Sequence, residues 1–495
     1  MSARALMLQG TGSDVGKSVM TAALVRIAAR RGVSVAPFKP QNMSNNAAAC
    51  ADGGEIGRAQ ALQAQAAGLE PRVDFNPVLL KPQSDRTSQV VLHGRALSAQ
   101  NARDYMRDRR QLLEPVMESF QRLSAEFDLV LVEGAGSASE VNLRDGDIAN
   151  MGFARRAGVP VCLVADIDRG GVIASLVGTQ AVLEAADASM IVGYIVNKFR
   201  GDPQLFTGGL DAIRTHTGWR SFGVVPWLPA AARLPAEDAV VLESQRATET
   251  GSLNIAAPML SRMANFDDAD PLKQQEGVAF NWIPPGKTIP GDCDLIVLFG
   301  TKSTLGELAF LREQGWDHDI ISHARRGGRV LGVCGGYQML GKRILDPQGL
   351  DGAAGSVTGL GLLDVETTMV GEKTVRPVTG VCRTSHLPVS GYEIHVGDTR
   401  GPDCIRPMFE IAGREEGAAS VNGRIAGTYL HGMFASDRFR TDWLGRASLS
   451  TFNSYDYAAS VESALEALAD HVESAVDVDA LLGAARTGAG ASAAD

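Results

Sequence analysis

Two stretches of this 495-residue chain carry residue types at spacings that can do chemistry, and more than three hundred residues separate them. The first is Gly10-Thr11-Gly12-Ser13-Asp14-Val15-Gly16-Lys17-Ser18. Glycines there let backbone N–H groups approach phosphate oxygens, a lysine reaches the β- and γ-phosphates, and a serine hydroxyl ligates Mg2+. Gly10, Gly12, Gly16, Lys17 and Ser18 are therefore candidate ATP-binding residues, with Ser18 also a metal ligand. The strict phosphate-loop spacing puts the first glycine at position 11, which is Thr11 here, and Gly10 lies one residue upstream. A dinucleotide fingerprint is excluded because Val15 occupies its third glycine position. The second stretch is Gly332-Val333-Cys334-Gly335-Gly336, with Tyr429-Leu430-His431-Gly432 further on. A cysteine flanked by glycines after an apolar run can sit on a strained turn that lifts its thiol to a helix N-terminus. The helix dipole and a histidine there favour the thiolate.

These residues need elements to position them. The first half alternates short apolar runs with helical patterns: Ala5 to Gln9, Val33 to Phe38, Leu129 to Val132, Val161 to Ala165, Ile191 to Val196 and Phe222 to Pro226. Continuous Val/Ile/Leu runs suit strands buried on both faces, and alternation with helices implies a parallel sheet. Polar residues follow the carboxyl ends of these runs, where open α/β sheets bind ligands: Gly10, Lys39, Glu133, Asp166 and Asn197. Glu133, followed by Gly134-Ala135-Gly136 at that edge, reads as a Mg2+ ligand rather than a solvated loop acid. Between Lys39 and Gln60 lies an amide-rich, acidic stretch. It reads as a surface for a substrate with several carboxylates and amides. Lys39, Asn42, Asn45, Asn46, Asp52 and Glu55 are the substrate candidates.

The fold class is α/β throughout: a phosphate-loop parallel-sheet domain at 1–233, a connector at 234–250, a second α/β domain at 251–447, and a C-terminal helical segment with a disordered tail at 448–495. The second domain is read from apolar runs at Leu253 to Ala257, Asp294 to Phe299 and Arg329 to Val333. The segments Leu345 to Gly355 and Met369 to Thr384 read as loops or an antiparallel excursion. The formal net charge of -10 and the absence of a basic block point to no nucleic-acid or membrane partner. Six cysteines without a C-x-x-C pair argue against zinc or a disulfide framework. The N-terminus has no signal-peptide pattern, so a cytoplasmic location is expected. Oligomeric state is not legible.

The longer loop, ending Val15-Gly16-Lys17-Ser18, resembles that of dethiobiotin synthetase and its relatives, which make acyl phosphates or carbamoyl analogues. The resemblance places a substrate-side lysine at Lys39 and adenine contacts at Asn197 and Pro226. Cys334 to Leu340 resembles class I glutamine amidotransferases, in which a cysteine attacks the glutamine carboxamide. By that likeness His431 is the base, and the Phe299-Gly300-Thr301 loop, with Gly335, supplies the oxyanion donors. Many members carry an acid two residues after the histidine. Here that residue is Met433, which leaves the third member unassigned, with Glu393 a candidate; His395 lies in another family segment. The two halves together resemble the cobalamin amide synthases. The resemblance implies ATP-dependent activation of corrinoid carboxylates and their amidation with ammonia from L-glutamine, four times, on the b, d, e and g side chains of adenosylcobyrinic acid a,c-diamide. A sister activity on the a and c carboxylates is the nearest alternative, and a nucleotide switch of the partitioning type is a second. A glutaminase serving a separate partner is a third.

Overall fold

The structure, a computed structural model, describes residues 3–83, 87–101, 109–237, 251–352, 354–371, 373–448 and 450–487. Most of the connector (238–250) and the end of the tail (488–495) lie outside the described residues.

The first half is built on strands β1 (Arg4–Gly10), β2 (Val35–Phe38), β9 (Leu129–Ser137), β10 (Val161–Asp166), β11 (Ile191–Phe199) and β12 (Ser221–Pro226). Between β2 and β9 run β3 (Gln41–Met43), β4 (Ala47–Ala49), β5 (Glu55–Gly57), β6 (Val78–Pro82), β7 (Thr87–Leu92) and β8 (Arg95–Asn101). The main sheet has the order β12-β11-β10-β1-β9-β2, all parallel. Its strands are apolar at consecutive positions because both faces are covered. Ala5 and Met7 of β1 enter one core with Val130, Val132, Val161 and Leu163, whereas Leu6 and Leu8 enter the other with Leu131, Cys162 and Val164. Helix α1 (Lys17–Arg30) covers the second face, so the loop 10–16 links the sheet's central strand to this helix.

That second core also contains Leu465, Leu468 and Val472 of the C-terminal helix Tyr457–Ala475. Arg26, Arg30 and Arg31 of α1 pair with Glu462, Glu466, Asp470 and Glu473 along this helix. Arg486–Thr487 then pairs antiparallel with Arg4–Ala5 of β1. Sequence reading assigned this end to a disordered tail. Its two ladder residues are ordered by the free edge positions at the start of β1.

The second half has β13 (Leu253–Pro258), β14 (Val278–Ile283), β15 (Leu295–Leu298) and β16 (Arg329–Val333) in the order β14-β13-β15-β16, continued by Ile425–Thr428, all parallel. Of the segments expected as loops or an antiparallel excursion, 345–355 joins a strand (Arg343–Asp346) that pairs antiparallel with Gly355–Thr358 and parallel with Glu366–Thr368, and 369–384 holds Thr374–Cys382, whose Thr374 to Val381 pair antiparallel with Pro388–His395. That second strand then pairs with Leu430–His431 and so fixes the histidine beside β16's outlet.

The halves are joined by polar contacts. Asn46 Oδ1 accepts from Asn265 N at 2.6 Å, and Asn265 Oδ1 accepts from Ala47 N at 3.0 Å. Glu55, fully buried, pairs with Lys81 of its own half and with Lys373 of the other. Arg58, at the start of helix α2 (Arg58–Ala66), pairs with Asp267 at 3.0 Å.

Candidate functional sites

The loop 10–16 delivers Lys17 and Ser18 into the sheet's carboxyl edge. Gly16 has φ 96°, a left-handed value, and a Cβ there would stand 2.3 Å from Asn197 Nδ2. Lys17 Nζ donates to Gly12 O at 3.0 Å and Gly136 O at 2.8 Å, so it closes the loop against β9. Burial, only partly offset by the charge of Glu133, lowers its pKa to about 8. Ser18 Oγ donates to Glu133 Oε1 at 2.6 Å. The same Glu133 oxygen takes Lys39 Nζ at 2.8 Å, and its partner oxygen takes Gln63 Nε2 at 2.7 Å and Gln60 Nε2 at 3.3 Å. Burial pushes the Glu133 carboxyl up, but Lys39 and these donors outweigh it and hold it below the usual range. Glu237, at the start of the connector, comes to the same place: Oε2 lies 3.4 Å from Ser18 Oγ and 3.8 Å from Lys39 Nζ.

These residues open on a cavity of about 1370 Å3. Its wall includes Gly16, Lys17, Ser18, Lys39, Asn42 and Glu133. That exceeds the roughly 300–1,000 Å3 of a pocket for one small ligand.

Other expected residues stand elsewhere. Asn197 spends its amide on Val15 O at 2.9 Å, and Pro226 O accepts from His471 Nε2 at 2.8 Å. Lys198, Arg200 and Trp227 form the wall in their place, with the Arg200 guanidinium 4.1 Å from the Trp227 ring centroid. Of the substrate candidates, Lys39 and Asn42 line the cavity, and Asn45, Asn46, Asp52 and Glu55 do not. Asn46 and Glu55 are consumed by the junction between the halves. Asp52 is exposed and accepts from Val73 N, and Asn45 is half-buried off the wall. Amides and acids near a phosphate loop serve an interface equally well, and composition does not distinguish the two uses.

In the second half, Cys334 follows β16 with φ 53° and ψ -111°, directly before the short helix Gly335–Leu340. A non-glycine residue in this conformation costs about 1–3 kcal/mol and persists only where surroundings impose it. Cys334 N donates to Thr428 O at 2.8 Å, which ties the turn to the neighbouring strand. His431 Nδ1 lies 2.7 Å from Asp268 Oδ2, and Gly432 N donates to Asp268 Oδ1 at 2.6 Å. Burial opposes the imidazolium, but the Asp268 carboxylate, with Cys334 adding to it, raises the ring to about 10. Tyr392 stacks on the imidazole, with centroids 5.2 Å apart. Gly300 stands between the two: a Cβ there would lie 3.1 Å from His431 Cε1 and 3.6 Å from Cys334 Cβ. Gly335 abuts the same loop, where a Cβ would be 3.0 Å from Thr301 N.

The acid held against His431 is Asp268, a contact that sequence reasoning missed. It lies 163 residues before His431, in Asp267-Asp268-Ala269-Asp270 beyond the carboxyl end of β13. Three acids within four residues at a strand's ligand edge were the available signal. Glu393 is corrected: its oxygens are taken by Arg376 and Arg414, which hold its carboxyl low despite burial. Met433 is buried, and His395 stacks on Tyr429 with its pKa lowered to about 4 by burial.

Comparisons with known proteins match the chain in two stretches. Residues 6–241 match the family model described as "CobQ/CobB/MinD/ParA nucleotide binding domain", and residues 254–439 match "CobB/CobQ-like glutamine amidotransferase domain". A protein of Hyphomonas neptunium named cobyric acid synthase is 64% identical over 97% of this chain and 97% of its own. Proteins of the same name from Cereibacter sphaeroides and Paracoccus denitrificans are 61% and 59% identical, each over 97% of this chain and 100% of their own. A solved glutamine amidotransferase structure aligns with 40% of this chain and 99% of its own at 12% identity and a TM-score of 0.31. No helix among the described residues is long and apolar enough to cross a membrane.

Proposed function

Because the chain belongs to the cobyric acid synthase family, we propose that it converts adenosylcobyrinic acid a,c-diamide to adenosylcobyric acid, amidating the b, d, e and g carboxylates with ATP and L-glutamine. It is a glutamine-hydrolysing amide ligase. One observation carries the detailed reading: a buried Cys334/His431/Asp268 assembly and a phosphate loop with Glu133 occupy the carboxyl edges of two sheets that meet at Arg58–Asp267.

In the second half, the Cys334 thiolate attacks the glutamine carboxamide carbon. Backbone donors around Gly300 and Gly335 take the developing oxyanion, and His431 gives its proton to the leaving nitrogen, so ammonia departs and a thioester remains. Water, activated by the now neutral His431, releases glutamate and restores the thiol. Asp268 holds the ring's other nitrogen and supports its charged form.

In the first half, a corrinoid carboxylate attacks the γ-phosphorus of ATP from the Lys39 and Asn42 side. The products are an acyl phosphate and ADP. Lys17 stabilises charge on the transferring oxygens. Ammonia then attacks the acyl carbon, phosphate leaves and the amide forms. Ser18 and Glu133, whose oxygens lie 2.6 Å apart, would hold Mg2+ through hard oxygen donors, and the ion would supply neutralisation of phosphate charge.

Mass spectrometry of the corrinoid product tests the reading. Four successive carboxylate-to-amide steps, each requiring ATP and glutamine, are expected on the a,c-diamide. Amidation confined to the a and c positions would instead place the chain with the sister activity.

A further inference from the structure

Lys39 and Asn42, the pair proposed to face the attacking corrinoid carboxylate, already hold a carboxylate of the chain itself. Glu237 is on the wall of the nucleotide cavity, and its side chain is 13% exposed. One oxygen, Oε1, accepts from Asn42 Nδ2. The other, Oε2, lies 3.8 Å from Lys39 Nζ and 3.4 Å from Ser18 Oγ. The carboxylate therefore spans from Asn42 to Ser18 with Lys39 beside it. Lys17, by contrast, gives its ammonium to Gly12 O and Gly136 O.

The donors set how many carboxylates this place can take. Asn42 has two amide hydrogens, of which one goes to Gln60 Oε1 at 2.9 Å and the other to Glu237. Ser18 has a single hydroxyl hydrogen, which it gives to Glu133 at 2.6 Å, so its contact with Glu237 is loose. Lys39 already neutralises Glu133 at 2.8 Å. A third carboxylate beside Glu133 and Glu237 would find both Asn42 hydrogens taken and would add like charge around one ammonium. The backbone keeps Glu237 within reach of the spot. Ala236 O accepts from Asn46 Nδ2 and Glu237 O accepts from Ser44 Oγ, each at 3.3 Å. Only the Glu237 side chain has to turn for its place to pass to another carboxylate.

We propose that Asn42, Lys39 and Ser18 form the seat of the carboxylate to be phosphorylated, and that Glu237 is a tethered competitor which the substrate carboxylate displaces on entry. The inference rests on the reading that a corrinoid carboxylate is activated in this cavity. Seated there, the substrate takes the Asn42 hydrogen on one oxygen and turns the other past Lys39 toward Ser18, at the phosphate-loop end. One carboxylate replaces another, so the charge of the buried site is conserved and no covalent bond is made or broken. Once amidated, the side chain is neutral and no longer matches Lys39, so Glu237 reclaims the seat and the product is released. Glu237 sets substrate affinity and takes no part in the chemistry.

The test uses the full chain carrying Glu237→Ala, with ammonium chloride as nitrogen source so that the second half is bypassed. The KM for the a,c-diamide should fall about tenfold, because a seat filled roughly nine-tenths of the time by a competitor weakens apparent affinity by that factor. The KM for ATP should not follow it. Equilibrium dialysis of the corrinoid in the presence of ADP, read by its own absorbance, should show the same gain in affinity without turnover. Acetate should compete with the corrinoid more strongly in the variant than in the parent, whose seat is kept filled. Glu237→Gln keeps the shape and loses the charge. It should shift the corrinoid KM the same way by less, and it stands in if the alanine variant does not fold. An unchanged or raised corrinoid KM in the folded variants, or turnover lost at saturating substrates, would overturn the competitor and make Glu237 a partner of substrate or metal. Equal inhibition of parent and variant by acetate would overturn it too. A parent that does not amidate the a,c-diamide with ammonium and ATP would bring down the functional reading on which the seat depends.

Discussion

Asp268→Ala removes the carboxylate hydrogen-bonded to a buried imidazole, and the structure sets the size of the effect. The carboxylate lies 2.7 Å from His431 Nδ1, with the two residues 5% and 1% exposed. Burial alone would lower the ring's pKa, but Asp268 first, with Cys334 adding to it, carries it from 6.5 to about 10. At about 1.4 kcal/mol per unit, that rise is worth roughly 5 kcal/mol of preference for the imidazolium. Loss of the orienting acid from Ser/His/Asp assemblies costs about 10^4-fold in kcat, a similar energy. Glutamate release by the variant at saturating glutamine should therefore fall about 10^3–10^4-fold, while ammonium-driven amidation persists. The pH behaviour follows with a definite sign. A folded pKa raised above the unfolded value stabilises fully below about pH 6.5 and ceases to do so as pH rises through about 10. The variant should thus be less stable than the parent at neutral pH and nearly equal to it above pH 10. Denaturant unfolding across this range measures the difference. Glutaminase turnover within about threefold of the parent, or a stability difference that does not shrink toward pH 10, would refute the assignment of Asp268.

Cys334→Ala should abolish glutamine-driven amidation and leave the ammonium-driven reaction, read by product formation with each nitrogen source. Lys17→Ala and Glu133→Ala should each cost about a hundredfold or more in ATP-dependent turnover with either source. Glutamate release by the same two proteins shows whether the second half still works. Glu55→Gln leaves Lys81 and Lys373 facing each other without a counter-charge, and unfolding should show a loss of about 3–5 kcal/mol at neutral pH. Burial opposes the Glu55 carboxylate, but Lys373 and Lys81 prevail and depress its pKa from 4.5 to about 2. Its contribution is present above pH 4.5 and fades as pH falls toward 2, so parent and variant should converge in acid.

The residues that do local chemistry were legible because local geometry demands particular types. Only glycine tolerates Gly16's φ of 96° beside Asn197, and a buried six-strand path reads as runs of Val, Ile and Leu. The first half's strands appear where the apolar runs are. Asp268 was not legible, because its role depends on the return of a strand 163 residues later, which no spacing encodes. Asn46 and Glu55 were misplaced for the opposite reason. Their types suit a ligand or a neighbouring half, and only the partners Asn265 and Lys373 decide. The strands Val278–Ile283 and Ile425–Thr428 were missed, the first being interrupted by Asn281-Trp282 and the second too short to show a period.

The pairing of Arg486–Thr487 with the first strand has a consequence for synthesis of the chain. Leu465, Leu468 and Val472 complete a core that also needs Leu6, Leu8 and Leu24, so the first sheet is finished only by residues made after the second half's sheet. At about 5–20 residues per second, a ribosome takes roughly ten to forty-five seconds to translate the two hundred-odd residues between Leu234 and Tyr457. For that interval the nascent sheet stands with part of the α1 face bare. A chaperone that binds apolar surface has its window there, and the arriving helix ends it with Arg26, Arg30 and Arg31 already in place to receive its acids.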